Sequence, residues 1–441
     1  RRQRQMCIRD RLYAYKVLNR YGMGYTSWVI AGIERALDPN GDNDTSDHVD
    51  IISMSLGGHG YPDDPLSQAV DNAVNQGVIV CVAAGNKGAW GEESIDSPGC
   101  ARKAITVGAT DKSDVIASFS SRGPTSIGTI KPDVVAPGVD IVSARANGTD
   151  MYGDGQHFVG EYYYRASGTS MATPHVAGVA ALILQAHPDW TPIEIKMALR
   201  NTAVDLGYNL TTQGYGRVDA LAAVSLEHAP PVAELKTSGK IHGVEIEIIG
   251  TANASEKFCN YSLFYKSGRD LYYNDDSGDS SWIKLCESNE PVDDGTLYVW
   301  NISSLPDGKY TLKLVVYNEY MKSEDRVIIQ IKNTEIYYPG DLREEWGEVF
   351  PSWREISING TSMGWGFDHY IVEWRNESSI WSSEGITLIN GGNLPVDGST
   401  LAIWNLSSLS KSGFYYIKLT TYYRDRIETD EVKIWIDTQL M

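Results

Sequence analysis

Gly168-Thr169-Ser170-Met171-Ala172-Thr173-Pro174-His175 opens directly into a long apolar run, Val176 to Ala186. The spacing predicts a helix over Ser170 to Ala186, stopped by His187-Pro188. A serine at that position lies near the positive end of a helix, with small neighbours that leave its hydroxyl uncovered. Those are the conditions a nucleophile needs to meet a carbonyl carbon.

Outward from this point, up to about His228, helical and strand-like patterns alternate. Leu12 to Leu18 reads as a strand, Tyr25 to Leu37 as an amphipathic helix and Val49 to Ser55 as a strand. Pro65 to Gln76 reads as a helix, Val78 to Ala84 as a strand, and Ala104 to Val107 and Val134 to Val135 as short strands. Thr191-Pro192-Ile193-Glu194 is a capping box with proline at the first helical position. Short apolar strands between helices imply α/β architecture, a buried parallel sheet covered on both faces, with its active site at the carboxyl ends of strands.

After His228-Ala229-Pro230-Pro231 the pattern turns to strands and turns with no helix. This half repeats itself. Pro291 to Leu305 recurs as Pro395 to Leu409, so that Trp404 matches Trp300, and Tyr310 to Leu314 recurs as Tyr415 to Leu419. Two units of this kind read as two all-β sandwich modules, 232–333 and 338–441, with both tryptophans in their cores.

The chain has 441 residues and a hydrophobic fraction of 42%, which places it among globular proteins rather than disordered ones. A net charge of −19 argues against binding a phosphate backbone, so no nucleic-acid partner is expected. The acidic surface fits a monomeric extracellular protein, secreted or at the cell surface.

Residues 12–228 resemble the subtilisin-like serine peptidases. The serine motif carries the resemblance together with Leu12-Tyr13-Ala14-Tyr15-Lys16-Val17-Leu18, Ser53-Met54-Ser55-Leu56-Gly57-Gly58 and Val82-Ala83-Ala84-Gly85-Asn86. Ser118 to Pro124, Lys131 to Gly138 and Gly214 to Ala220 follow in the family's order. The resemblance implies Ser170 as nucleophile and Asn86 as side-chain donor to the oxyanion, in a site shielded from water. It implies that Ser55, Leu56 and Gly57 pair with an extended substrate. Ala83, Ala84, Gly85 and Thr169 would then line the cleft beside the scissile bond. Ser97-Pro98-Gly99 resembles the family's turn at the pocket base, where a cis proline is expected. It would bring Asp96 to the pocket floor, favouring a basic substrate residue, although Asp96 also suits an ordinary solvated turn.

The family's aspartate and histidine motifs are expected upstream of Leu12. Arg1 to Arg11 has no place in the family pattern and reads as a scar. His175 is no substitute base: five positions beyond Ser170, it points about 140° away on a helix and is expected to pack. His48, His59, His157 and His187 have no motif around them.

Asp38, Asn40, Asp42, Asp44 and Asp47 supply oxygens along one loop and suit a structural Ca²⁺. The loop is not an EF-hand, since Asn43 replaces the turn glycine and Val49 the bidentate glutamate. Cys259 and Cys286 share one β-rich region, where a bridge is plausible in a secreted protein; Cys81 suits either a buried thiol or a bridge to Cys100. Sequons include Asn147, Asn209, Asn301 and Asn405. The sequence therefore predicts a serine endopeptidase acting on protein or peptide substrates, lacking its base within these residues. The alternative is a non-catalytic, peptidase-like adhesion protein whose β modules contact the cell surface or glycans.

Overall fold

The computed structural model describes residues 11–146, 148–153, 155–272, 281–341, 349–351 and 355–439. Of the stretch Arg1 to Arg11, read from sequence as a scar, all but Arg11 lies outside the described residues, as do Cys7 and the sequon at Asn147. The chain forms two compact units. One holds the residues up to 238 with 249–295 and 311–328, the other 239–248, 296–310 and everything from 329 onward.

The first unit begins with α1 (Thr26–Leu37), β1 (Ile51–Met54), α2 (Pro65–Asn75), β2 (Ile79–Ala83), β3 (Ile105–Thr110) and β4 (Val134–Pro137). A small sheet of β5 (Ile141–Ala144), β6 (Phe158–Val159) and β7 (Tyr163–Ala166) precedes α3 (Thr169–Ala186) and α4 (Pro192–Asn201). Strands β1 to β4 lie in chain order, all parallel, with Ile51 opposite Ile79 and Met54 opposite Val82.

Side chains on a strand alternate between faces, and here each face has its own helices. Ile79, Cys81, Ile105 and Val107 pack with Val176, Ala180 and Ile183 of α3 and with Ile195 and Leu199 of α4. Val80 and Val82 pack with Val29 and Ile33 of α1 and Val70 and Val74 of α2. The helix ends follow from local chemistry. Asp64 accepts the Ser67 N–H at 2.7 Å ahead of Pro65. Thr191 and Glu194 form the expected reciprocal capping box.

Leu12–Leu18 departs from expectation. It forms no strand ladder among the described residues, and Leu12 is 97% exposed. A ladder requires a partner, and this segment instead lies along α1, with Tyr15 Oη donating to the Arg35 carbonyl and Val17 packed against the α1–α2 cluster.

Asp133, just ahead of β4, anchors the interior. It faces Lys131 at 2.8 Å and Lys196 at 3.2 Å, and its Oδ2 also accepts the Thr106 N–H. All three ionic side chains are buried. Burial alone would raise the Asp133 carboxyl, but Lys131, Lys196 and Arg200 together hold it below the ordinary carboxylate range.

The second half is built of strands, with a single 3-10 turn at Ile389–Gly392 among the described residues. In the second unit, strands Thr334–Tyr338, Glu355–Ser362, Val396–Asn405 and Ile386–Leu388 form one sheet. A second sheet comprises Val349–Pro351, Ile427–Asp437, Gly413–Tyr423 and Phe367–Asn376. Their shared core includes Ile358, Tyr370, Leu401, Trp404, Ile417 and Ile434. The sequence repeat is a repeat of strands, Val292–Asn301 matching Val396–Asn405 and Gly308–Asn318 matching Gly413–Tyr423. Trp300 and Trp404 are both buried.

Among the described residues no cysteine is paired. Cys81, Cys100, Cys259 and Cys286 are all free thiols. In the hairpin of Phe258–Ser267 with Ile283–Ser288, Cys286 stands opposite Leu263, four positions from Cys259. At about 3.3 Å per residue that is roughly 13 Å, beyond the ~7 Å a disulfide spans. Cys100 instead lies 3.5 Å from Ser67 Oγ, and burial pushes the Cys81 thiol up to about 12.

Alkylation after unfolding without reductant should therefore label all four of these cysteines, read by peptide mass spectrometry; an unlabelled Cys259–Cys286 pair would contradict the strand register. Asp133→Asn leaves two lysines buried without their counter-ion and should cost about 3–5 kcal/mol in denaturant unfolding. Because the folded-state pKa is depressed, Asp133's contribution is complete above the ordinary carboxylate pKa and disappears as pH falls below it. The variant should accordingly show a flatter loss of stability on acidification than the parent.

Candidate active site

Adjacent parallel strands bring two loops to one end of the sheet. Ser55-Leu56-Gly57 leaves the end of β1 and Ala84-Gly85-Asn86 the end of β2, where α3 begins. Ser170 is the second residue of that helix and half-buried. Its N–H belongs to the first turn, which has no intrahelical acceptor.

Pro174 shapes this turn. It has no N–H, so the Ser170 carbonyl lacks its usual partner four residues on. Ser55 Oγ takes that position, donating to the Ser170 carbonyl at 2.7 Å, and Ser170 Oγ donates back to the Ser55 carbonyl at 3.2 Å. The nucleophile candidate is thus tied crosswise to the end of β1. Among the described residues no imidazole or carboxylate hydrogen-bonds the Ser170 hydroxyl. His175 does not pack as expected; it is exposed, its Nδ1 2.8 Å from the Met171 carbonyl, because its side of α3 faces away from the sheet.

Asn86 is exposed and held by one end. Its Oδ1 accepts the Thr169 N–H at 3.0 Å and the Thr169 hydroxyl at 3.1 Å. The amide nitrogen at the other end donates to no protein atom among the described residues. Thr169 is therefore not the cleft-lining residue expected from sequence. It is buried, and both its donors are engaged by Asn86, so it positions that side chain instead. The Gly85 N–H also reaches Thr169 Oγ1, at 3.2 Å.

Of the remaining residues expected to line a cleft, Gly57, Ala84 and Gly85 lie against Asp96. Ser55 and Gly57 are exposed, Leu56 and Gly85 half-buried, and Ala83 and Ala84 buried beneath them. The Gly58 and Ser97 backbones bond reciprocally at 2.9 Å, holding the β1 exit against the turn in which Ser97–Pro98 is cis. Gly85 has φ +107°, and a Cβ there would stand 2.5 Å from Asp96 Oδ2. Only glycine fits both the backbone and the space. Asp96 is not a solvated turn residue. It is buried, its N–H bonds to the Ala84 carbonyl, and Lys87 Nζ lies 2.5 Å from Oδ1. Sequence reasoning overlooked Lys87, whose only signal was its place directly after Asn86.

The acidic loop folds on itself. Asp38 accepts the backbone N–H groups of Gly41, Asp42 and Asn43, which hold its carboxyl below the ordinary range. Asn40 bonds Asp42, and Asp44 caps the turn at Ser46. Asp47 Oδ1 is buried without a hydrogen-bond partner. Among the described residues no three acidic, histidine or cysteine side chains stand together to hold a metal, so the five do not form the converging ligand set expected.

Comparison with known proteins fits this geometry. Residues 6–217 match the model of the subtilase family, so Met6 to Arg11 fall inside the family match and not outside it as the sequence reading had them. The chain is 47% identical over 205 residues to serine protease AprX of Bacillus subtilis (strain 168), covering 43% of this chain and 46% of the relative. It is 42% identical to subtilisin amylosacchariticus of Bacillus subtilis subsp. amylosacchariticus, covering 48% of each. It is 41% identical to subtilisin of Bacillus pumilus, covering 48% of this chain and 67% of that relative. The chain thus spans about half the length of the first two of these relatives. The matched residues 6–217 include the strand ends and the serine helix described above, and the chain belongs to the subtilase family.

Proposed function

We propose that this chain carries the nucleophile and oxyanion half of a serine endopeptidase site acting on proteins or peptides. Ser170 Oγ attacks the peptide carbonyl carbon and passes its proton to a histidine that an aspartate orients; neither partner bonds the Ser170 hydroxyl among the described residues. The oxyanion is held by Asn86 Nδ2 and the Ser170 N–H. The amine leaves with the proton, and water then hydrolyses the acyl ester to regenerate Ser170. The observation that carries this reading is the pair of hydrogen bonds that Thr169 donates to Asn86 Oδ1, which leaves the Nδ2 end without a protein acceptor among the described residues, beside the serine turn.

An extracellular setting belongs to the same reading, in keeping with the net charge of −19. So do two sandwich modules at 232–333 and 338–441, supported by the matched strands.

The test is hydrolysis of a fluorogenic peptide by the chain alone and by a chimera carrying the aspartate- and histidine-bearing segment of the Bacillus pumilus subtilisin ahead of Leu12. The chain alone should fall below the chimera by on the order of 10⁶, a magnitude measured on a subtilisin. Ser170→Ala should abolish the chimera's activity and Asn86→Ala lower it by ~10²–10³, again a subtilisin value. A chimera whose activity survives Ser170→Ala overturns the assignment.

A further inference from the structure

We infer that the joint between the two β repeats is a proton-operated catch, in which Asp307 and Glu428 share one proton while the joint is closed. The inference is independent of the peptidase site, and the side chains and amides it uses all belong to the second unit.

Asp307 lies in the turn between strands Val292–Asn301 and Gly308–Asn318 of the first repeat, and Glu428 in strand Ile427–Asp437, the last of the second. Between them runs the short link Lys332-Asn333, which leads into strand Thr334–Tyr338. Asp307 holds that link. Its Oδ1 accepts the Asn333 N–H at 2.6 Å and its Oδ2 the Thr334 N–H at 3.0 Å. Asn333 and Thr334 are both buried, so the two amides depend on Asp307 for a partner. The Asp307 N–H in turn donates to Glu428 Oε1 at 2.9 Å, and the two carboxyl groups hydrogen-bond each other.

A carboxyl group can hydrogen-bond a carboxylate only by keeping its proton, and two carboxylates this close ionise together only at a cost. The surrounding groups decide which one keeps it. Arg426 Nε lies 2.8 Å from Glu428 Oε1, so Glu428 has the counter-ion, whereas among the described residues no cation pairs with Asp307. Burial above all, with the Glu428 charge adding to it, pushes the Asp307 carboxyl up to about 7 despite the two amides. The other groups facing the joint supply no substitute charge. Burial keeps Tyr423 neutral, and its hydroxyl donates to the Met363 carbonyl at 2.7 Å. Lys332 pairs with Asp430 at 3.0 Å, Lys240 with Glu335 at 2.8 Å, and His242 Nδ1 stands 2.9 Å from Asp397 Oδ1.

Because the Asp307 pKa is raised in the closed joint, the closed form binds more protons than the open one. The catch is therefore fully fastened below the ordinary carboxylate pKa, weakens as pH rises through about 7, and stays weak above it. Losing the proton leaves two like charges side by side, and release of the link relieves them.

The experiment is hydrogen–deuterium exchange of the full chain in chelator at about pH 5 and about pH 8, corrected for the intrinsic pH dependence of amide exchange. Peptides spanning 302–310 and 329–337 are read by mass spectrometry. Their protection should fall at least about tenfold between the two conditions, while that of 415–421 should hold. In Glu428→Gln an amide donor replaces the shared proton and one charge is gone, so the fall should disappear. Asp307→Asn serves the same purpose should that variant fail to fold. His242→Gln removes the neighbouring imidazole and should leave the fall in place. Protection that is unchanged by pH in the parent overturns the inference. So does a fall shared by 415–421, one that persists in Glu428→Gln, or one that vanishes in His242→Gln.

Discussion

The site depends on a single side-chain amide gripped from one side. Asn86 sits on the exit of β2 and Thr169 at the start of α3, 83 positions later, yet two hydrogen bonds from Thr169 fix the Asn86 oxygen. An amide has one accepting and one donating end, so fixing the oxygen orients the nitrogen. The rest of the first unit holds these two points in place. The parallel register sets the β2 exit beside the β1 exit, and α3 packs across the same strands through Val176, Ala180 and Ile183. A donor held in advance does not reorganise when charge develops, which is where such sites derive their electrostatic advantage.

Much of this was legible in the sequence, for identifiable reasons. Strong periodicity located α1, α2 and α3 to within a residue, and the start of α4 was readable because the parts of its capping box at Thr191 are four consecutive residues. The repeat around Trp300 and Trp404 was readable because equal spacing needs no knowledge of packing. Misreadings arose where local pattern depends on a distant partner. Leu12–Leu18 has strand composition but no neighbouring strand among the described residues. Cys259 and Cys286 share a hairpin, yet their separation is decided by register, which the sequence did not reveal. Thr169 had the composition of a cleft residue, and only the fold shows that its polar atoms turn inward.

Charge was the least legible property. A net charge of −19 describes the surface, whereas the decisive ionic groups are buried: Asp133 between Lys131 and Lys196, and Asp96 against Lys87. The Asp133 group joins the residues just ahead of β4 to α4, and its members are individually unremarkable in a sequence. A buried charge is tolerated only where partners satisfy it. Such groups therefore fix how strands and helices meet, independently of the apolar pattern that announces them.

Pro174 has a mechanical effect beyond the helix it interrupts. By withholding an N–H it hands the Ser170 carbonyl to Ser55, and the serine hydroxyl returns the contact to the Ser55 backbone. Strand end and helix start are thereby stitched together by a two-stitch seam. Any ligand that lies along Ser55-Leu56-Gly57 and draws on the Ser55 carbonyl competes for the same oxygen that restrains the hydroxyl. Arrival of a peptide would in that way unfasten the serine side chain while the other stitch still secures its main chain.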